Sequence, residues 1–134
     1  MEFFTFGTVL KMFQNLKDKS LKHSISLQYD IRSVEVFVNY FRAIVDLRNL
    51  CSHGSVLFDH NLSYPLRNGI ALKIDDNNSK KMSSVIKILH YVLRRISSNR
   101  AKEMENEINR LFSKPENMQI IKNIDNISTG KINF

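Results

Sequence analysis

One cysteine, two prolines, four glycines and no tryptophan are spread over a chain of 134 residues. The lone Cys51 excludes an intramolecular disulfide and fits a reducing compartment. Four scattered glycines cannot build a glycine-rich phosphate loop. No apolar run approaches the length needed to span a bilayer. The opening MEFFTFGTVLKMF is apolar, but Glu2 stands where a secretory leader would carry lysine or arginine. These absences lead to an expectation of a cytoplasmic protein with no membrane partner. Acid is missing over one long window as well. Between Ser79 and Lys102 there is no Asp or Glu, while Lys80, Lys81, Lys87, Arg94, Arg95, Arg100 and Lys102 all fall there.

What is present is ordinary for a globular domain: 43% hydrophobic and 25% charged residues, in a chain long enough to bury a core without metal or disulfide staples. The net charge is +7, which favours an anionic partner, with nucleic acid first. The seven positive charges of the acid-free window equal that net charge, and Glu103, Glu105 and Glu107 then reverse the sign.

Apolar periodicity predicts helices and little else. Residues 3–16 place Phe3, Phe6, Val9 or Leu10, Phe13 and Leu16 at steps of three and four, with no evident N-cap. A pattern that begins so close to Met1 suggests the later part of a longer design. A short helix fits Leu21–Leu27, a long one Val34–His53 with Gly54 as its stop, and another residues 80–97. Ser113 and Glu116 form a capping box with Pro115 in the first turn, which predicts a last helix to about Ile127. Residues 55–78 lack helical periodicity and contain Pro65, Asn68-Gly69 and the polar cluster Asp75–Asn78; a loop this long is functional or irregularly packed. The expected architecture is a single all-α bundle.

The long helix ends in DLRNLCSHG, Asp46 to Gly54. On a wheel of about 100° per residue, Val34, Phe37, Phe41, Ile44 and Val45 form the core stripe, and Arg48 and Ser52 continue it. Asn49 and His53 are four apart, so they sit one above the other on a flank an arginine side chain can reach. One reading is plain: the stripe leaves the core, Arg48 snorkels, and His53 caps the terminal carbonyls. The other places an arginine and a histidine together to handle phosphate.

The segment RNLCSHG resembles the signature of the Abi (abortive infection) proteins of the HEPN superfamily, helical ribonuclease domains marked by an arginine, a spacer of about four to six residues and a histidine, often with a polar residue after the arginine. Arg48, Asn49 and His53 fit that pattern. EFFTFGTVLKMFQNL is similar to the helix preceding the motif in that family, and ISSNRAKEMENEINRLF to the helix following it, so the resemblance spans most of residues 2–112. Abi chains are usually longer at their start, and many carry a second basic residue after the histidine, where Ser55 and Val56 stand here.

The resemblance implies a HEPN-like helical bundle and a metal-independent endoribonuclease of a phage-defence or toxin–antitoxin type system. In that chemistry the 2′-hydroxyl attacks phosphorus and the 5′-oxygen leaves. His53 would carry a proton near neutral pH, Arg48 would bridge phosphate oxygens as a planar fork, and Asn49 would orient the imidazole or bind an oxygen. A single histidine serves poorly as both base and acid. The resemblance implies the remedy, a homodimer that faces two such sets into one cleft. RNA is the expected substrate, with an antitoxin or a regulatory RNA as a further partner and no cofactor. Lys87, Arg94 and Arg95 are the expected phosphate contacts on the basic helix, where Met82, Val85, Ile86, Leu89, Val92, Leu93 and Ile96 read as the inward stripe. The alternative is a non-catalytic HEPN-like module that binds RNA or a protein.

Other arrangements fit less well. Cys51 and His53 lie about 200° apart on a helix, too far for a nucleophile pair, so Cys51 reads as a small core residue. Cys51, His53, His60 and His90 lack a characteristic zinc spacing. Asp75-Asp76 reads as a loop and cap, and Phe3, Phe6 and Phe13 as core.

Overall fold

The computed structural model describes residues 5–54, 60–73 and 78–114. Five helices form over them: α1 Phe6–Asn15, α2 Lys19–Gln28, α3 Val34–Ser52, α4 Met82–Ile96 and α5 Ser98–Phe112. Among the described residues there is no strand, only two isolated antiparallel bridges, Asn61 with Lys81 and Gly69 with Leu72. The fold is all-α, as the periodicity requires.

Each start and stop has a local cause. Thr5 caps α1 by accepting from the Thr8 amide at 3.2 Å; the sequence pattern hides this cap because it sits inside an apolar run. Asp18 caps α2, accepting from the Ser20 and Leu21 amides. The end of α2 is a Schellman turn. The Ile31 amide reaches back to the Ser26 carbonyl and the Asp30 amide to Leu27, with Asp30 at φ +56 in the left-handed position glycine usually fills. Ser33 caps α3 through the Val36 amide, and Gly54, at φ +65, ends it as expected. Ser97 closes α4 and caps α5, so these two helices meet without a linker.

Helix α3 is the central element, with α1, α2 and α4 packed around it and α5 packed on α4. Its aromatic side chains build the core: Phe37 stacks on Phe41 at 4.3 Å between ring centres, Phe13 meets Phe37 at 4.8 Å, and Tyr29 contacts Phe37 and Phe41. Phe13 is buried as expected, while Phe6 lies at the edge of this cluster, more than one-third exposed. Phe3 lies outside the described residues, as do Asp75-Asp76 and the helix expected after Pro115. Ser113 is the C-cap of α5 and donates its hydroxyl to the Arg110 carbonyl.

Three sequence readings are corrected by the packing. The core stripe of α3 runs Phe37, Tyr40, Phe41, Ile44 and then Leu47, not Arg48. Because α3 is covered on several sides, its buried arc includes Tyr40 and Ala43 as well, and its centre turns away from Arg48, which is exposed. Cys51, expected in the core, is exposed in the same last turn. On α4 the buried residues are Met82, Ser84, Val85, Ile88, His90 and Val92, while Ile96 is 65% exposed. That helix is packed between α3 and α5, so a second flank is covered, and His90 lies on it, paired with Glu105 of α5.

Residues 60–73 are irregular but packed. They run back along α3 from its C-terminal end toward its start: Tyr64 meets Asp46 and Arg42, Pro65 and Arg67 are bonded to Asn39, and Gly69 lies against Tyr40 and Val36. Leu62, Leu66 and Leu72 point into the core, which satisfies the apolar residues that showed no helical period.

Candidate functional site

The last three turns of α3 and the chain at residues 60–63 border an open cavity of about 480 Å³. Arg42, Asp46, Asn49 and His53 line it from α3, and His60, Asn61, Leu62 and Ser63 from the opposite side, with Leu50 between. The α3 contribution follows from spacing. Positions 42, 46, 49 and 53 advance by four, three and four residues, which on a helix is one continuous stripe.

Arg48 stands on the next face, and its side chain does reach across. Its Nη1 donates to Asn49 Oδ1 at 3.1 Å, while its own carbonyl accepts from Ser52 Oγ at 2.9 Å. No carboxylate lies within ion-pair distance of Arg48 among the described residues. The guanidinium is thus exposed, directed by a neutral amide oxygen, and open to an anion. Arg48 does not line the cavity itself; Asn49 stands between the two. His53 is the C-cap residue of α3: its backbone amide bonds to Asn49 and Cys51 carbonyls, and its exposed side chain faces the cavity.

Two of the lining side chains, Asp46 and Arg42, are held by Tyr64. The Tyr64 hydroxyl donates to Asp46 Oδ2 at 2.6 Å, and the Arg42 guanidinium lies 4.2 Å above the Tyr64 ring. Burial, and after it the bond to the Asp46 carboxylate, push the Tyr64 phenol pKa up, so Tyr64 stays a donor at any ordinary pH. Asp46 therefore has one oxygen occupied and is a support for the wall. The lining presents one guanidinium, one carboxylate, two side-chain amides and two imidazoles around a concave, partly apolar space, and with the Arg48 guanidinium at its edge it suits a phosphate-bearing ligand.

Asn49 and His53 thus share one site, with Arg48 bonded to its edge. The basic-helix residues do not join them. Lys87 is half-buried, Arg94 is exposed, and Arg95 binds Asp30 at 2.8 Å, tying α4 to the turn between α2 and α3. None of the three lines the cavity. Among the described residues no group of three His, Cys, Asp or Glu side chains is arranged to hold a metal ion, and no helix is long and apolar enough to cross a membrane. Arg42, Asp46 and Tyr64 are not marked by the sequence as site residues, and His60 enters there only in a zinc set that lacks a characteristic spacing. The first two could have been found by following the polar stripe upward from Asn49; His60 and Tyr64 carry no such signal, because the turn of the chain that brings them back is irregular.

Residues 1–59 match the family model of Abi-like proteins. The match takes in α1, α2 and α3 with Arg48, Asn49 and His53, and covers less than half of the chain. It includes two of the three segments that carry the resemblance seen in the sequence; the third, now α5, lies outside it. Neither curated proteins nor solved structures gave a match.

Proposed function

We propose that this chain is a metal-independent endoribonuclease of the HEPN type acting in abortive infection or in a toxin–antitoxin type system. The observation that carries the reading is the placement at the end of α3. Arg48, exposed and without a carboxylate partner among the described residues, is bonded to Asn49, and Asn49 and His53 line one open cavity. None of the three is needed there by the core, which is completed by Leu47. The likeness of residues 1–59 to Abi-like proteins supports the biological setting.

In this reading RNA lies across the cavity with a phosphate at Arg48. The guanidinium offsets charge that develops on the phosphorane oxygens, an imidazole moves the proton, and Asn49 holds the arginine in place. The 2′-oxygen forms a bond to phosphorus as the 5′-oxygen leaves, which gives a 2′,3′-cyclic phosphate and a 5′-hydroxyl. A homodimer belongs to the same reading: exposed Arg48, Cys51, Ser52 and His53 leave the end of α3 open to a second copy. The basic face of α4, with Arg94 foremost, would add phosphate contacts that read no sequence.

One observation favours a second reading, a non-catalytic RNA- or protein-binding module: Arg48 does not line the cavity. Product analysis separates the two. Mixed RNA incubated with purified protein in EDTA should yield fragments ending in 2′,3′-cyclic phosphate. RNA that is bound but recovered intact would favour the binding module, and cleavage that needs a divalent ion would point to different chemistry.

A further inference from the structure

The reaction proposed above needs two proton transfers, and His53 alone supplies one imidazole at a time. The cavity holds a second. His60 lines the same space as His53, from the opposite wall. Its backbone position is fixed: the next residue, Asn61, bridges to Lys81, and Leu62, buried in the core, donates its amide to the Lys80 carbonyl at 2.8 Å. His60 itself is only half-buried and has no hydrogen-bond partner among the described residues, so folding does not occupy its ring nitrogens there.

We infer that His60 is the second proton-transfer group of this site, so that one chain carries both the base and the acid for RNA cleavage. The inference rests on the ribonuclease reading and adds to it. One imidazole takes the 2′-hydroxyl proton while the new O2′–P bond forms. The other, protonated, gives its proton to the 5′-oxygen as the P–O5′ bond breaks. The two rings end the step with their protonation states exchanged, and solvent resets them. A dimer would then set two complete sites side by side.

Two histidines in opposite roles give a bell-shaped dependence of rate on pH, one limb from each. In His60→Gln the cleavage rate should fall about a hundredfold or more, and one limb of the bell should vanish. His53→Gln should remove the other limb. A substrate with sulfur in place of the bridging 5′-oxygen needs no acid for departure, so it should restore the rate of whichever variant lacks the acid and not of its counterpart. Circular dichroism should show both variants as helical as the parent, since neither side chain belongs to the core. A His60→Gln enzyme that keeps the parent rate and both limbs overturns this inference while leaving the ribonuclease reading intact. A parent protein that cleaves no RNA overturns both.

Discussion

Gly69 is where the irregular segment presses most closely on α3, and substituting it should measure how firmly that segment is seated. A Cβ added there would lie 2.6 Å from Tyr40 Oη and 2.9 Å from Val36 Cγ1, with Tyr40 Cζ next at 3.3 Å. Contacts that short force either the helix side chains or the loop to move, and Tyr40 is fully buried, so the loop must give way. Overpacking of this kind costs about 1–3 kcal/mol. For a chain of this size, that lowers the melting temperature by roughly 3–10 °C. Tyr40→Phe should act in the opposite direction, because the Tyr40 hydroxyl is buried with no hydrogen-bond partner among the described residues. Removing an unsatisfied hydroxyl relieves its desolvation penalty, on the order of 1 kcal/mol. It also removes the nearest atom to the new Cβ. Gly69→Ala should therefore be less harmful in the Tyr40→Phe background, with a coupling of about 0.5–1 kcal/mol. Urea and thermal unfolding of the four proteins, followed by far-UV circular dichroism, give the cycle. A neutral Gly69→Ala, or strictly additive effects, would refute the packing argument.

Leu47→Ala should cost about 2–4 kcal/mol, whereas Arg48→Ala should change stability by less than about 0.5 kcal/mol; the reverse order in urea unfolding would restore the arginine to the core stripe. Burial pushes the Tyr40 phenol up to about 12, above its unfolded value near 10, so the folded state holds a proton that the unfolded state releases. Stability should fall as pH rises above about 10, and Tyr40→Phe should remove part of that fall; alkaline unfolding curves of identical slope would contradict it. Lys87→Glu with Arg94→Glu should weaken binding of every RNA about equally and flatten its salt dependence, and an unchanged salt slope would leave α4 a solubilising face.

The helices were legible because their apolar residues recur at helical steps, and α3, with a capping serine before it and a glycine after it, was bounded almost to the residue. Buried orientation was less legible. A wheel assumes one covered face, but α3 and α4 are covered on more than one side, so the stripes read from it omit the buried Leu47 and Ile88 and include the exposed Ile96. Helix α5 buries only Ala101 among its residues, and its charged sequence shows little of an apolar stripe; family resemblance marked it where periodicity did not. The site was half visible. Arg48, Asn49 and His53 lie within one turn and a half of helix, so local spacing relates them, while His60 reaches the cavity through tertiary packing of a segment with no period. Chemistry carried by one helix can be read from sequence; its complement from a loop needs the fold.

In the function proposed above, the end of α3 cleaves RNA. The most direct test is the single-turnover cleavage rate of an RNA oligonucleotide in EDTA by the parent, Arg48→Ala and His53→Ala proteins, each first shown to be folded. The parent should cleave, and both variants should lose about a hundredfold or more. Equal rates in all three would contradict that function.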